Sequence, residues 1–336
     1  MKPLVSIQYL RAFAALAVVT YHTLQWRAGG FDVGRAGVDV FFVISGLIMW
    51  RMTSGGKVSP LAFLWRRFTR VAPLYWLATL TVAAICAIWP NFLDNVLPGW
   101  GHLALSLAFI PHLDPRGLPF PTLPPGWTLD YEAIFYLVFA AALLAPWRRR
   151  AGLVAGALLI IVAAGIVLDN PVYILGANPL LLEFAAGVAV ARLAEMRVLR
   201  GRLLGAGLIA ASLAAFAIPA VLGLWSELWR PLIWGLPAAM LVAGALSLET
   251  AGAVPRWRPL ESLGDASYSL YLVHLPATAL VAHTLGWDRP ALFIPVALIV
   301  SIAAGLACRV LVEKPLLRLL REGPGRRVAA AAEASA

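Results

Sequence analysis

The chain has 336 residues, of which 61% are hydrophobic and 13% charged, and its mean hydropathy is +0.82. These values exclude an ordinary soluble globular protein and predict a polytopic membrane protein, because apolar stretches of about 20 residues recur from end to end. The net charge of +10 comes from short basic clusters between apolar segments, which argues against a nucleic-acid-binding face.

Apolar runs bounded by charges, Pro and Gly predict an all-α bundle of about ten transmembrane helices. They cover residues 6–25, 37–53, 72–89, 127–146, 152–168, 178–195, 203–223, 232–249, 262–284 and 291–312. No signal-peptide cleavage site follows the first helix, so we expect this helix to be retained. The stretch 102–112 is too short to cross the membrane and is predicted to be interfacial or re-entrant. Residues 1–320 are predicted to form one integral-membrane domain, followed by a disordered cytoplasmic tail at 321–336.

The distribution of Lys and Arg predicts that both termini are cytoplasmic. With Arg11 set aside as intramembrane, the basic residues that fall on the outer side are only Arg27, Arg35, Arg116, Arg230 and Arg289. All other basic residues fall on the inner side, as the positive-inside rule requires of cytoplasmic loops. Cys86 and Cys308 lie in apolar segments and are interpreted as small core residues; no metal site is expected.

The first helix carries two polar residues, Arg11 and His22, that are costly within a bilayer. At 100° per residue, eleven residues bring them to the same helix face, ~16 Å apart. The topology puts Arg11 in the cytoplasmic half and His22 near the outer end. The two residues are therefore predicted to line one side of a route, although a structurally satisfied core histidine is the alternative for His22.

Two carboxylates, Asp39 in the second helix and Glu132 in the fourth, are expected at a depth similar to that of His22. A carboxylate next to a histidine fixes its tautomer and stabilises the imidazolium, which is the usual arrangement of a general base. Both carboxylates also lie near helix N-termini, so capping is the alternative interpretation for each.

Two further clusters could bind ligands. The loop after the second helix is expected to carry Arg66, Arg67 and Arg70. If a helix continued through this loop, Arg67 and Arg70 would share one face, where they could bind a phosphorylated cytosolic ligand. The alternative is that these arginines only determine the membrane topology. Ser267, Tyr271 and His274 recur at i, i+4 and i+7 and form a polar stripe. This stripe could contact substrate or could simply hold helices together.

These motifs resemble those of the membrane-bound acyltransferase 3 family of bacterial O-acyltransferases, and the resemblance covers nearly the whole chain. It is carried by LRAFAALAVVTYH, GVDVFFVISG, RRFTRVAPLYW, WTLDYEAIFYL, SYSLYLVHL and VEKPLLR, in that order. The opening SIQYLRA is closest to exopolysaccharide O-acetyltransferases of the succinoglycan type. Thr128 departs from the serine common in the family, and we expect no soluble domain of the SGNH hydrolase type after the last helix.

The resemblance implies transfer of an acyl group, usually acetyl, from cytoplasmic acyl-CoA to a hydroxyl of a cell-envelope glycan at the bacterial inner membrane. It also implies that His22 is catalytic, that Glu132 belongs to the catalytic centre, and that Arg11, Arg67 and Arg70 serve the donor.

We expect Arg66 to join Arg67 and Arg70 on the phosphates of the donor, and Asp39 or Glu132 to steer His22, which acts as a base or carries the acyl group. Trp127 is expected to contact the acceptor together with Tyr271 and His274. The rivals are a proton-coupled transporter, which intramembrane His, Arg, Asp and Glu would also suit, and a non-catalytic component of polysaccharide export.

Overall fold

The computed structural model describes residues 4–25, 30–54, 58–93, 96, 99–168, 176–223, 226 and 228–322. The elements in these ranges are all helical, so the predicted all-α fold is confirmed for them. Arg27 and residues 323–336 of the predicted tail lie outside the described residues. The helices are α1 (Val5–Gln25), α2 (Ala36–Thr53), α3 (Pro60–Ile88), α4 (Trp100–Leu107), α5 (Trp127–Ala142), α6 (Trp147–Leu168), α7 (Leu181–Glu195), α8 (Arg202–Leu222), α9 (Leu236–Thr250), α10 (Arg258–Leu285), α11 (Pro290–Cys308) and α12 (Lys314–Glu322).

Each segment predicted as a transmembrane helix is helical over most of its length. Among the described residues, six helical stretches are long and apolar enough to cross a membrane. These six are Asp32–Thr53, Pro60–Ile88, Trp147–Leu168, Arg202–Pro219, Pro231–Thr250 and Pro290–Leu320. Helices α5 and α7 have only 16 and 15 residues. Helices α1 and α10 are long enough, but they carry Arg11, His22 and His274 among other polar residues, which lower their hydropathy.

Helix α3 begins well before its predicted start at residue 72. Ser59 caps it by accepting a hydrogen bond from the Ala62 N–H at 3.2 Å, and Pro60 occupies the first turn, where its missing N–H has no cost. Arg66, Arg67 and Arg70 therefore lie on a helix and not in the predicted loop. The prediction of a loop was wrong because the basic residues lower the hydropathy of the first turns without breaking the helix.

Helix pairs with extensive contacts hold the bundle together: α10 packs against α1 and α11, α2 against α7, and α8 against α9. At the α2–α7 crossing, a Cβ on Gly46 would lie 2.0 Å from the Phe184 carbonyl oxygen, and one on Gly187 would lie 2.0 Å from the Val43 carbonyl oxygen. Small residues allow this close approach of two backbones. The crossing fixes α2, which carries Asp39 and Ser45.

We expect Gly46→Ala to separate α2 from α7, since the obstructing atoms are backbone atoms that cannot rotate away. Overpacking of this kind costs about 3 kcal/mol, which should appear as a clearly lower melting temperature of the protein in detergent. Gly156→Ala on α6 is the matched control, because a Cβ there meets nothing within 4 Å. Equal melting temperatures for the two variants would contradict the proposed packing role.

Candidate active site

Described residues from several helices line two adjoining cavities of the bundle. The first, of about 350 Å³, is lined by residues that include Arg11, Ser45, Arg67, Arg70, Glu132 and Tyr136, and we call it the basic cavity. The second, of about 520 Å³, is lined by residues that include Tyr21, His22, Gln25, Arg35, Trp127 and Arg230, and we call it the histidine cavity. Both fall within the size range of small-molecule sites. The two polar residues of α1 thus line different cavities.

His22 lies on the wall of the histidine cavity and contacts a second histidine. Its Nδ1 is 3.0 Å from the Val18 carbonyl oxygen and 3.2 Å from Nε2 of His274. The two rings have centroids 5.0 Å apart. His274 is fully buried, and its own Nδ1 is 2.7 Å from the Tyr271 carbonyl oxygen.

These contacts determine where the protons of the neutral histidine pair lie. The Tyr271 carbonyl only accepts, so Nδ1 of His274 must carry hydrogen and its Nε2 must be an acceptor. Both neighbours of His22 Nδ1 are then acceptors, so this nitrogen also carries hydrogen. The Nε2 atom of His22 is left with a lone pair, and it makes no hydrogen bond within the described part of the chain. This is the tautomer that a base or a nucleophile requires.

Asp39 does not steer His22, contrary to the expectation from the sequence. Its carboxylate accepts two hydrogen bonds from Arg230, at 3.1 Å from Nε and 2.9 Å from Nη2, and both side chains are buried. Arg230 was interpreted as a topological loop cation, but it forms this buried pair and lines the histidine cavity. Glu183 lies buried beside the pair, close enough to interact electrostatically with both residues. Asp39 therefore supports the cavity wall and is more than a helix cap.

Glu132 lines the basic cavity, whereas His22 lines the other. The Ser45 hydroxyl donates a hydrogen bond to Glu132 Oε1 at 2.9 Å, and the Tyr136 hydroxyl donates to the same oxygen. Since α5 begins at Trp127, these contacts differ from N-terminal capping. His22 therefore has His274 as its side-chain partner where a carboxylate was predicted, and Glu132 faces the basic cavity.

The predicted donor arginines differ in their surroundings. Arg11 lines the basic cavity and forms no hydrogen bond or ion pair with any residue that the structure describes. Arg67 lines it too, and its buried Nε has no partner there. Arg70 lines the cavity but is paired with Glu313, whereas Arg66 is not among the lining residues. Arg11 and Arg67 are therefore the cations best placed to meet an anion.

The polar stripe on α10 borders both cavities. Ser267 lines the basic cavity, Tyr271 lines both, and His274 contacts His22. Trp127, at the start of α5, lines the histidine cavity. The stripe therefore holds helices together and also faces both cavities, so the two interpretations of it do not exclude each other.

Sequence reasoning missed two buried carboxylates that organise the site, Glu183 and Glu313. Glu313 lies in the π-helical turn after α11 and accepts hydrogen bonds from Arg70, from Ser269, and from Arg309 at 2.7 Å. π-helical turns are frequent at functional sites. The rule that flags ionisable residues in apolar segments could have found both carboxylates.

Comparisons with known proteins identify the family of this chain. A family model described as an acyltransferase domain matches residues 4–310 of the chain. The chain belongs to this acyltransferase family. The exopolysaccharide production protein ExoZ of Rhizobium meliloti is 38% identical over 92% of this chain and 97% of its own length. The family and its named O-acetyltransferases identify the chain as an O-acyltransferase and a membrane protein.

Two further members of the family are similar over most of this chain. The putative membrane-bound transacylase BcsY of Komagataeibacter xylinus is 30% identical over 92% of this chain and 81% of its own length. The putative peptidoglycan O-acetyltransferase YrhL of Bacillus subtilis is 27% identical over 81% of this chain, which corresponds to 48% of YrhL. No solved structure matches the chain.

Proposed function

We propose that this O-acyltransferase transfers an acetyl group from cytoplasmic acetyl-CoA to a hydroxyl of a cell-envelope or extracellular polysaccharide, or of its lipid-linked precursor. The observation that carries the proposal is the pairing of two cavities. One is lined by Arg11 and Arg67, which form no ion pair with any described residue, and the other by a histidine whose Nε2 carries a lone pair. The name of ExoZ, an exopolysaccharide production protein, supports a polysaccharide acceptor.

The proposed setting is the bacterial inner membrane, crossed by about ten helices with both termini in the cytoplasm. The distribution of Lys and Arg supports this orientation, because most of them fall in the connections predicted to lie on the cytoplasmic side. In this orientation the basic cavity faces the cytoplasm and the histidine cavity faces outward.

The donor would bind in the basic cavity. Coenzyme A carries several phosphates, and arginine guanidinium groups bind phosphate oxygens through pairs of charge-assisted hydrogen bonds. Arg11 and Arg67 have donors available for such bonds, and Glu313 holds Arg70 at the same wall. Glu132 would face the acyl end of the donor.

The acceptor would enter the histidine cavity next to Trp127, where aromatic rings could pack on a sugar. His22 Nε2 takes the proton of the acceptor hydroxyl as its oxygen attacks the acyl carbonyl. A C–O bond forms, the C–S bond of the thioester breaks, and the proton passes to the CoA thiolate. His274 holds the tautomer of His22 during this step. An acyl-histidine that accumulates with labelled donor would indicate that His22 carries the group instead.

We expect Arg67→Gln to raise the KM for acetyl-CoA roughly tenfold or more and to affect kcat less, because a charge-assisted bond to the donor is lost in ground and transition states alike. Steady-state kinetics on purified protein in lipid measures both constants. Arg200→Gln, at an exposed position away from both cavities, is the control. An unchanged KM in Arg67→Gln would remove this residue from the donor site.

Thiol release in proteoliposomes tests the proposed function itself. We expect acetyl-CoA to be consumed with free CoA as a product, at a rate that depends on an added glycan acceptor. A proton-coupled transporter would instead move solute or protons while the concentration of acetyl-CoA stays constant. That outcome would contradict the proposal in favour of transport.

A further inference from the structure

The two cavities meet at residues that both have in common, Val38 of α2 and Tyr271 of α10. The start of α5 lies at the same boundary, because Trp127 lines the histidine cavity and the next residue, Thr128, lines the basic cavity. Three helices therefore contribute to the boundary. A group that crosses here from one cavity to the other passes these side chains.

Tyr271 is fixed across this boundary from three directions. Its hydroxyl lies 3.1 Å from the Thr128 hydroxyl, and its ring packs edge-on against Phe41 with centroids 6.2 Å apart. Its carbonyl oxygen is held by Nδ1 of His274 at 2.7 Å. The side chains of Tyr271 and Thr128 are both buried.

The number of hydroxyl hydrogens determines which of the two residues donates this hydrogen bond. Thr128 has one hydroxyl hydrogen, and its oxygen lies 3.0 Å from the Pro125 carbonyl, which can only accept. When Thr128 donates to Pro125, the Tyr271 hydroxyl donates to Thr128. This hydrogen bond joins α10 to α5 at the boundary, and rotation of the Tyr271 side chain would break it.

We propose that Tyr271 and Thr128 form a closed partition between the donor and acceptor cavities, which opens to let the acyl group pass and otherwise keeps water that lies beside His22, the proposed base, from the thioester. The proposal rests on the proposed function. If water replaced the acceptor, its oxygen would form the new C–O bond, the C–S bond would break, and the proton would pass to the CoA thiolate. The partition is expected to limit this hydrolysis.

Thiol labelling tests the partition without relying on activity. In a Cys86→Ser/Cys308→Ser background, Ser45→Cys puts one thiol in the basic cavity, where a membrane-impermeant maleimide can reach it. We expect labelling from one face of the membrane only. Adding Tyr271→Ala should open labelling from the opposite face. Equal labelling from both faces with Tyr271 intact, or one-sided labelling in a folded Tyr271→Ala protein, would overturn the proposal.

Acceptor-free release of CoA gives the second readout, with variants that keep the volume of the side chains. Tyr271→Phe and Thr128→Val each remove the hydrogen bond, and we expect each to raise acceptor-independent hydrolysis of acetyl-CoA roughly tenfold relative to coupled transfer. Thr128→Ser keeps the hydroxyl and should show the wild-type ratio of acceptor-independent hydrolysis to transfer. An unchanged ratio in the Phe and Val variants would refute the partition. Absence of thiol release from wild type with acceptor present would instead refute the proposed function, and the labelling result would still stand.

Discussion

We expect His22→Ala to abolish acetylation of the polysaccharide, with a loss of at least about 100-fold, because general-base catalysis contributes about 100- to 10,000-fold. The variant also removes the hydrogen bond and the ring contact between His22 and His274 at the α1–α10 interface. The measurement is the O-acetyl content of purified polysaccharide by proton NMR, from cells that express either wild type or variant at equal levels.

His283→Ala is the matched control for this variant. His283 also lies on α10 and is bound to a backbone carbonyl, that of Phe92 at 3.1 Å, but it lines neither cavity. We expect cells that express this variant to acetylate the polysaccharide normally. Normal acetylation in a folded His22→Ala protein would remove His22 from the mechanism and would favour a non-catalytic role in export.

We expect Arg230→Met to be strongly destabilising, by about 3–5 kcal/mol, because it leaves Asp39 buried without its cation. The cost is increased by Glu183, the second buried carboxylate at this position. Adding Asp39→Leu should recover part of the loss, since an apolar pair can replace a buried ion pair. Melting temperatures in detergent, followed by size-exclusion chromatography, measure both effects.

The exposed ion pair of Arg256 and Glu261 provides the comparison for this prediction. Its Arg256 guanidinium lies 2.8 Å from Glu261 but is largely accessible to solvent, so Arg256→Met should leave the melting temperature nearly unchanged. Similar melting temperatures for Arg230→Met and Arg256→Met would show that the buried pair does not support the wall of the histidine cavity.

Hydropathy and spacing predicted the helices and part of the site, because both depend on local sequence. The apolar runs gave the helix positions, and the spacing of Arg67 and Arg70 put both on the wall of one cavity. The spacing of Arg11 and His22 put them on one face of α1, although they line separate cavities. Predictions of this kind need only the geometry of one helix.

The partners of these residues could not be predicted, because they come from distant parts of the chain. Asp39 and Arg230 are separated by 191 residues, Arg70 and Glu313 by 243, and His22 and His274 by 252. A sequence pattern does not state which helices become neighbours. For this reason Asp39 was expected near His22, whereas packing of α2 places it against Arg230.

Transfer from one membrane face to the other is the central claim, and a sided isotope experiment tests it most directly. Acetyl-CoA labelled with ¹⁴C in the acetyl group is supplied only at the face where the basic cavity opens, and the glycan acceptor only at the opposite face of sealed proteoliposomes. We predict that label appears in the acceptor with wild type and not with His22→Ala. Transfer only when donor and acceptor share one face, or label in the acceptor with the His22→Ala protein, would contradict the account.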